Sequence, residues 1–275
     1  HLNNRLVHYE VVGRRGQPLI FLHSWLGSWR YWLPTMDAIS DRYRSYALDF
    51  WGFGESDRHE SAFSLTEYTT MLVDFMENLG LARVALVGHG LGGMVAIEAA
   101  TRYPERFTKL VTVATPIQGH TLQHLVRPGA LSRLFGRANP TNIWSRHLRH
   151  MNVEYEQLME EIIEDTESLS EGAVRQVMSA VLGADLRSNL SNLQIPLVSV
   201  LGERDPIVGA DQGHFLSDDH SSLQQVVRLP KSSHFPFLDQ PNVFSRLLTD
   251  FLASQGTAVE IKSEWRRRVS QLEYI

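Results

Sequence analysis

A chain of 275 residues with 43% apolar and 21% charged content can bury the core of one full domain, a size at which α/β folds are common. A net charge of −5, with cationic residues dispersed except at Arg266-Arg267-Arg268, gives no basic field for nucleic acid, and no apolar run is long enough to span a bilayer. The absence of cysteine excludes disulfides, thiolate metal sites and a cysteine nucleophile, and His1-Leu2-Asn3-Asn4-Arg5 lacks the apolar core of a signal peptide, so a cytoplasmic protein is expected.

In chain order, Leu6 to Val12 is rich in β-formers, and Gly13 to Pro18 supplies turn residues. Leu19-Ile20-Phe21-Leu22 is a continuous apolar run suited to a strand covered on both faces, and it ends at His23-Ser24-Trp25-Leu26-Gly27-Ser28. Ser45 to Leu48 is a further short strand, opening into Asp49-Phe50-Trp51-Gly52-Phe53-Gly54-Glu55-Ser56-Asp57. Ser64-Leu65-Thr66-Glu67 has the spacing of a capping box, and Leu65, Tyr68, Leu72, Phe75, Met76 and Leu79 recur at helical spacing until Gly80 closes the segment. The strand Val84 to Val87 runs without a spacer into Gly88-His89-Gly90-Leu91-Gly92-Gly93, which opens directly onto the helical run Met94 to Tyr103. Lys109 to Ala114 is the next strand, so strands and helices alternate as in a parallel sheet with crossover connections.

From Ile117 to about Leu190 the strand pattern gives way to helical faces. Met151, Tyr155, Leu158, Met159, Ile162 and Ile163 share one face, and Ser168-Leu169-Ser170-Glu171 has capping-box spacing ahead of Val174, Val177 and Val181. Leu197 to Leu201 returns to strand character, followed by Gly202-Glu203-Arg204-Asp205-Pro206-Ile207-Val208. Val226 to Leu229 is the last strand, and Ser232-Ser233-His234-Phe235-Pro236 precedes a helix over Asn242 to Ala253. Val259 to Ile275 is a charged segment with Trp265, Val269 and Leu272 in a loose helical repeat, expected to pack on the surface.

The strand, glycine turn and helix around residue 90 resemble the nucleophile elbow of the α/β-hydrolase superfamily, which reads Gly-x-Ser-x-Gly. Here Gly88 and Gly92 hold the flanking places and Gly90 stands where that family has its serine. The loop at Asp49 resembles the family's Asp-x-x-Gly-x-Gly-x-Ser, whose role there is chiefly structural, so Asp49 and Asp57 are expected to be scaffold. The Gly202 loop resembles its acid loop and the Ser232 loop the one presenting its histidine, which makes Asp205 and His234 the candidate acid and base. By matching position, the oxyanion donors would be the N–H groups of Trp25 and Leu91. Ser24 replaces the usual glycine of His-Gly-x-x-Gly; with His89 it is a candidate for substrate binding, although the plainer expectations are a hydroxyl bonded to local backbone and a packed imidazole. Gly90 is expected to leave space that a water could occupy.

The resemblance implies an α/β-hydrolase fold with a mostly parallel sheet, helices on both faces and a helical lid. The core would span 1–116 and 191–254, the lid 117–190 (between the sixth and seventh strands of the family pattern), and a C-terminal extension 255–275. A small-molecule substrate or ligand is expected, with no cofactor. His120 and His124 lack the adjacent glutamate and third ligand of a zinc helix, so no metal is expected either. Without an oxygen on residue 90 no acyl-enzyme can form there. Three readings follow: a hydrolase of ester-like substrates whose serine was replaced, a serine-independent enzyme in which Asp205 and His234 activate water or a substrate proton, and a non-catalytic binding member of the fold. Epoxide hydrolases and dehalogenases of the fold usually place an aspartate at the elbow, which this chain lacks.

Overall fold

Apolar runs without polar alternation are stable as strands only where both faces are covered, and such runs form the middle of the sheet. The computed structural model of the protein describes residues 1–58, 63–123, 145, 148–149, 156–217 and 223–256. Among the described residues there are seven strands: β1 (Tyr9–Val12), β2 (Gln17–Leu22), β3 (Tyr43–Leu48), β4 (Val84–His89), β5 (Phe107–Val113), β6 (Leu197–Gly202) and β7 (Gln224–Leu229). They lie side by side in the order β1-β3-β2-β4-β5-β6-β7. β1 runs antiparallel to β3, and every other pairing is parallel. β4 and β6 are buried along their whole length and are apolar apart from His89 at the end of β4 and Ser199 in β6. In an open parallel sheet the ligand position lies beyond the carboxyl ends of the strands. The loops after β2, β4, β6 and β7 carry residues 24, 90, 205 and 234.

The helices are α1 (Leu33–Ala38), α2 (Leu65–Asn78), α3 (Leu91–Arg102), α4 (Glu156–Glu167), α5 (Glu171–Gly183), α6 (Arg187–Ser191), α7 (His214–Ser217), α8 (Pro236–Asp239) and α9 (Pro241–Ala253). Ser64 caps α2 as its spacing requires, its Oγ accepting from Glu67 N–H at 3.1 Å, and Gly80 follows the helix at φ +66°. None of the helices among the described residues is long and apolar enough to cross a membrane.

Counted in this molecule, the insertion separates β5 from β6. In α4, Met159, Ile162 and Ile163 are buried, while Met151 and Tyr155 lie outside the described residues. So do His124, Arg266-Arg267-Arg268 and the segment with Trp265, Val269 and Leu272. The cap of α5 departs from the expected register. Ser170, not Ser168, precedes the first helical residue and accepts from Ala173 N–H at 3.1 Å, while the Ser168 hydroxyl turns back to Asp165 O at 2.8 Å and closes the end of α4. α4 is tied to the loop after β2. Thr166 Oγ1 donates to Leu26 O at 2.9 Å, and Asp165 accepts from Ser28 Oγ at 2.6 Å and Arg30 Nε at 3.0 Å.

Ser170→Ala is expected to destabilise the protein by about 1 kcal/mol, the usual worth of a lost N-cap. Ser168→Ala should change stability by no more than about 0.5 kcal/mol. Urea midpoints of the two variants test this, and the reverse ranking would restore Ser168 as the cap.

Candidate active site

β4 enters α3 through one residue, Gly90, at φ 49° and ψ −112°. That conformation favours glycine because no Cβ meets the backbone there. The turn is crowded on all sides. A Cβ at Gly88 would stand 2.4 Å from Gly92 O, and one at Gly92 would stand 2.3 Å from Leu22 O. A Cβ at Gly90 would meet Ser24 Oγ at 2.1 Å.

The Ser24 contact corrects two expectations. The space in front of Gly90 is not left for a water, because the Ser24 hydroxyl fills it. Nor does that hydroxyl bond only to its own loop. It accepts from Leu91 N–H, 67 residues away, at 3.4 Å, and so takes one of the donors that the first turn of α3 leaves without a helical partner. Ser24 is fully buried. Its backbone is clamped from both ends, with Ser24 N–H donating to the Tyr31 hydroxyl and Ser24 O accepting from His23 Nδ1–H at 2.7 Å.

Asp205 and His234 come together as their loops require. The carboxylate accepts from Ile207 N–H at 2.8 Å and Val208 N–H at 3.0 Å through Oδ1, and from His234 Nδ1–H at 2.8 Å through Oδ2. Their side chains are 0% and 1% exposed. Since a carboxylate only accepts, the imidazole proton lies on Nδ1, and the lone pair of the neutral ring is on Nε2. The histidine loop is itself braced. Asp239 accepts from Ser233 N–H at 2.7 Å and Ser233 Oγ at 3.0 Å, and Gln240 Nε2 donates to Ser232 Oγ at 2.6 Å. Burial raises the Asp239 carboxyl above the usual carboxylate range.

His89 has a different place from a substrate contact. It is fully buried, with Nε2 3.0 Å from His234 O and Nδ1 3.2 Å from the Tyr31 hydroxyl. Burial, reinforced by the neighbouring His234, pushes its pKa well below that of a free imidazole, so the ring is neutral. A carbonyl can only accept, so His89 Nε2 carries the proton and Nδ1 accepts from Tyr31, whose oxygen in turn accepts from Ser24 N–H. A continuous chain of hydrogen bonds therefore runs from the backbone of Ser24 to the backbone of His234. Both nitrogens of His89 are used within the protein, which removes it from the candidate substrate contacts. Tyr31 belongs to no motif, and only its neighbourhood with Trp29 and Trp32 marked an aromatic cluster in the sequence.

His23 is a second neutral, buried ring, its Nε2 accepting from Phe50 N–H at 2.9 Å. Asp49 is scaffold, accepting from Trp29 N–H at 2.7 Å, Glu55 N–H at 3.0 Å and His8 Nδ1–H at 3.1 Å. The backbone of Asp57 pairs with Leu6 O and Gly52 N–H at 3.0 and 2.9 Å. Trp25, next to Ser24, is 5% exposed. Among the described residues no group of three or more His, Cys, Asp or Glu side chains is placed to hold a metal ion.

The sequence pattern of the alpha/beta hydrolase fold matches residues 17–189. The chain is 28% identical over 261 residues to pimeloyl-[acyl-carrier protein] methyl ester esterase of Shewanella woodyi, covering 90% of this chain and 97% of that one. It is 34% identical over 130 residues to mouse epoxide hydrolase 4, a match covering 46% of this chain and 36% of that protein. Among solved structures, the enol-lactonase from Burkholderia xenovorans LB400 superposes with a TM-score of 0.78 at 17% identity, covering 92% of this chain and 98% of the enzyme, a likeness of fold.

Two measurements test the packing and protonation of this site. Gly90→Ser alone should cost about 1–3 kcal/mol through overpacking, and Ser24→Gly added to it should recover most of the loss. Additive losses in a thermal double-mutant cycle would mean that the two side chains do not share one space. Because the folded chain refuses the proton that an unfolded His89 accepts, its contribution to stability is complete above about pH 6.5 and is lost as pH falls below that value. His89→Gln should therefore flatten the loss between about pH 6.5 and 5 by up to about 1.4 kcal/mol per pH unit. An unchanged slope in denaturation midpoints would contradict the neutral ring.

Proposed function

The chain belongs to the alpha/beta hydrolase fold family, and from that premise we propose that it hydrolyses small carboxylic ester-like substrates with His234 as general base and Asp205 as its partner. The observation that carries this reading is the buried 2.8 Å contact between His234 Nδ1 and Asp205 Oδ2, with the carboxylate's other oxygen already held by two backbone N–H groups. In that arrangement Asp205 keeps the tautomer whose Nε2 takes a proton, and it stabilises the imidazolium that results. The N–H groups of Trp25 and Leu91 hold the charge that develops on the carbonyl oxygen. α4 and α5 form a lid that sets which acyl and alcohol groups enter. Similarity to a methyl ester esterase along 90% of the chain supports an ester rather than an epoxide as substrate.

Gly90 belongs to this reading as half of an exchange. The family's glycine after the histidine has become Ser24, and its elbow serine has become Gly90, and the two changes fill each other's volume. A serine removed from position 90 to stop turnover would have left residue 24 as glycine. The pairing of the two departures supports a naturally serine-free elbow.

One observation favours a second reading. The Leu91 N–H is already engaged by Ser24 Oγ, as suits a ligand-binding member of the fold that forms no oxyanion. Saturable binding of esters without product would characterise it.

With p-nitrophenyl acetate and butyrate, the unaltered protein should turn over and His234→Ala should lower kcat/KM by about 10²–10⁴-fold, the range of general-base catalysis. Equal rates in the folded variant would remove His234 from the mechanism.

A further inference from the structure

The chemistry needs an attacking oxygen, and residue 90 has none. We propose that Ser24 supplies it, so that the acyl group is carried on the loop after β2 instead of on the elbow. The inference rests on the ester-hydrolysis reading above and names the nucleophile for it.

Three features of the structure carry the proposal. The first is position. Ser24 Oγ stands 2.1 Å from where a β-carbon on residue 90 would be, inside the volume that the hydroxymethyl group of an elbow serine would occupy. The second is electrostatic. Ser24 Oγ faces the first turn of α3, a 12-residue helix, and accepts from Leu91 N–H at 3.4 Å. The partial positive charge of that helix N-terminus lowers the cost of an alkoxide on Ser24 Oγ. The third is a buried link from the Ser24 backbone to the histidine loop. Ser24 N–H is held by Tyr31, Tyr31 by His89, and His89 by the backbone oxygen of His234. Ser24 O is fixed by His23. Both backbone groups of Ser24 are therefore set, and one of them is set relative to the residue that would take its proton. A hydroxyl that served only to cap α3 would not need its own backbone tied to the histidine loop through two buried side chains.

The steps balance. Ser24 Oγ forms a bond to the acyl carbon while its proton passes to His234 Nε2, giving the tetrahedral intermediate. That intermediate breaks its bond to the alcohol oxygen, which leaves with the proton from the imidazolium. Water then attacks the acyl-Ser24 ester, giving one proton to His234, and Ser24 Oγ departs and takes that proton back. The sum is ester plus water to acid plus alcohol.

The test combines a fluorophosphonate probe, located by peptide mass spectrometry, with stopped-flow turnover of p-nitrophenyl acetate. The expected result is an adduct on the Ser24 peptide of the unaltered protein and a burst of p-nitrophenol approaching one equivalent per chain. In Ser24→Ala the adduct is lost and turnover falls by roughly 10³-fold or more. In the double variant Ser24→Gly with Gly90→Ser the adduct moves to residue 90, and an unchanged circular-dichroism spectrum and thermal midpoint of Ser24→Ala show that its losses are not losses of fold. An adduct on another residue, or turnover that persists in Ser24→Ala, overturns the assignment of Ser24 while the hydrolytic reading stands. No turnover by the unaltered protein on any ester, with no adduct, overturns both.

Discussion

No room is left for a side chain at Gly88, against the backbone of Gly92 and Gly93, or at Gly92, against the backbone of Leu22 and His23, and at Gly90 a side chain would meet Ser24 Oγ at 2.1 Å and Ser24 Cβ at 3.0 Å. The turn is fixed by its neighbours rather than by its own side chains. Leu22 O lies against Gly92, Thr115 Oγ1 against Gly93, and Gly90 N–H reaches Val113 O at 2.9 Å. The positive φ at residue 90 persists because β2, β5 and α3 all close on it. Once that turn is set, the Ser24 hydroxyl lies where a side chain at residue 90 would begin.

Three buried rings then share out their protons in only one way. His23 accepts a backbone N–H and must donate to Ser24 O, His89 donates to His234 O and must accept from Tyr31, and His234 donates to Asp205. Reversing any one of them would leave a buried carbonyl or carboxylate facing a lone pair, a cost of about 1–3 kcal/mol for each lost partner. The loop carrying Ser24 and the loop carrying His234 are thereby joined by a continuous run of buried hydrogen bonds. The insertion joins it through Thr166 and Asp165, which hold Leu26, Ser28 and Arg30. Anything that shifts α4 is thereby felt a few residues from Ser24.

The fold was legible where local chemistry leaves one option. The unbroken apolar run Leu19–Leu22 and the run Leu197–Leu201, interrupted only by Ser199, read as covered strands, and Ser64 with Glu67 marked the start of α2. Loop composition also put Asp205 and His234 just after strands, where the structure brings their side chains within 2.8 Å of each other. What escaped was direction. A serine in a loop gives no sign of whether its hydroxyl turns inward, and Ser24 does so only because residue 90, far along the chain, lacks a side chain. Tyr31 was invisible for the same reason, since its role depends on two partners that are 7 and 58 residues away. The cap of α5 slipped by two residues because Ser168 and Ser170 both satisfy local rules, and only the end of α4 decides between them.

The protonation of the imidazoles is the part of this account on which both the base and the loop coupling stand. Long-range nitrogen–proton NMR of the histidine rings near neutral pH reads it directly. The expected result is a proton on His234 Nδ1, directed at Asp205, and a neutral His89 with its proton on Nε2. A His234 protonated on Nε2 alone, with Nδ1 bare, would place no hydrogen toward Asp205 and leave no basic Nε2, and would contradict that assignment.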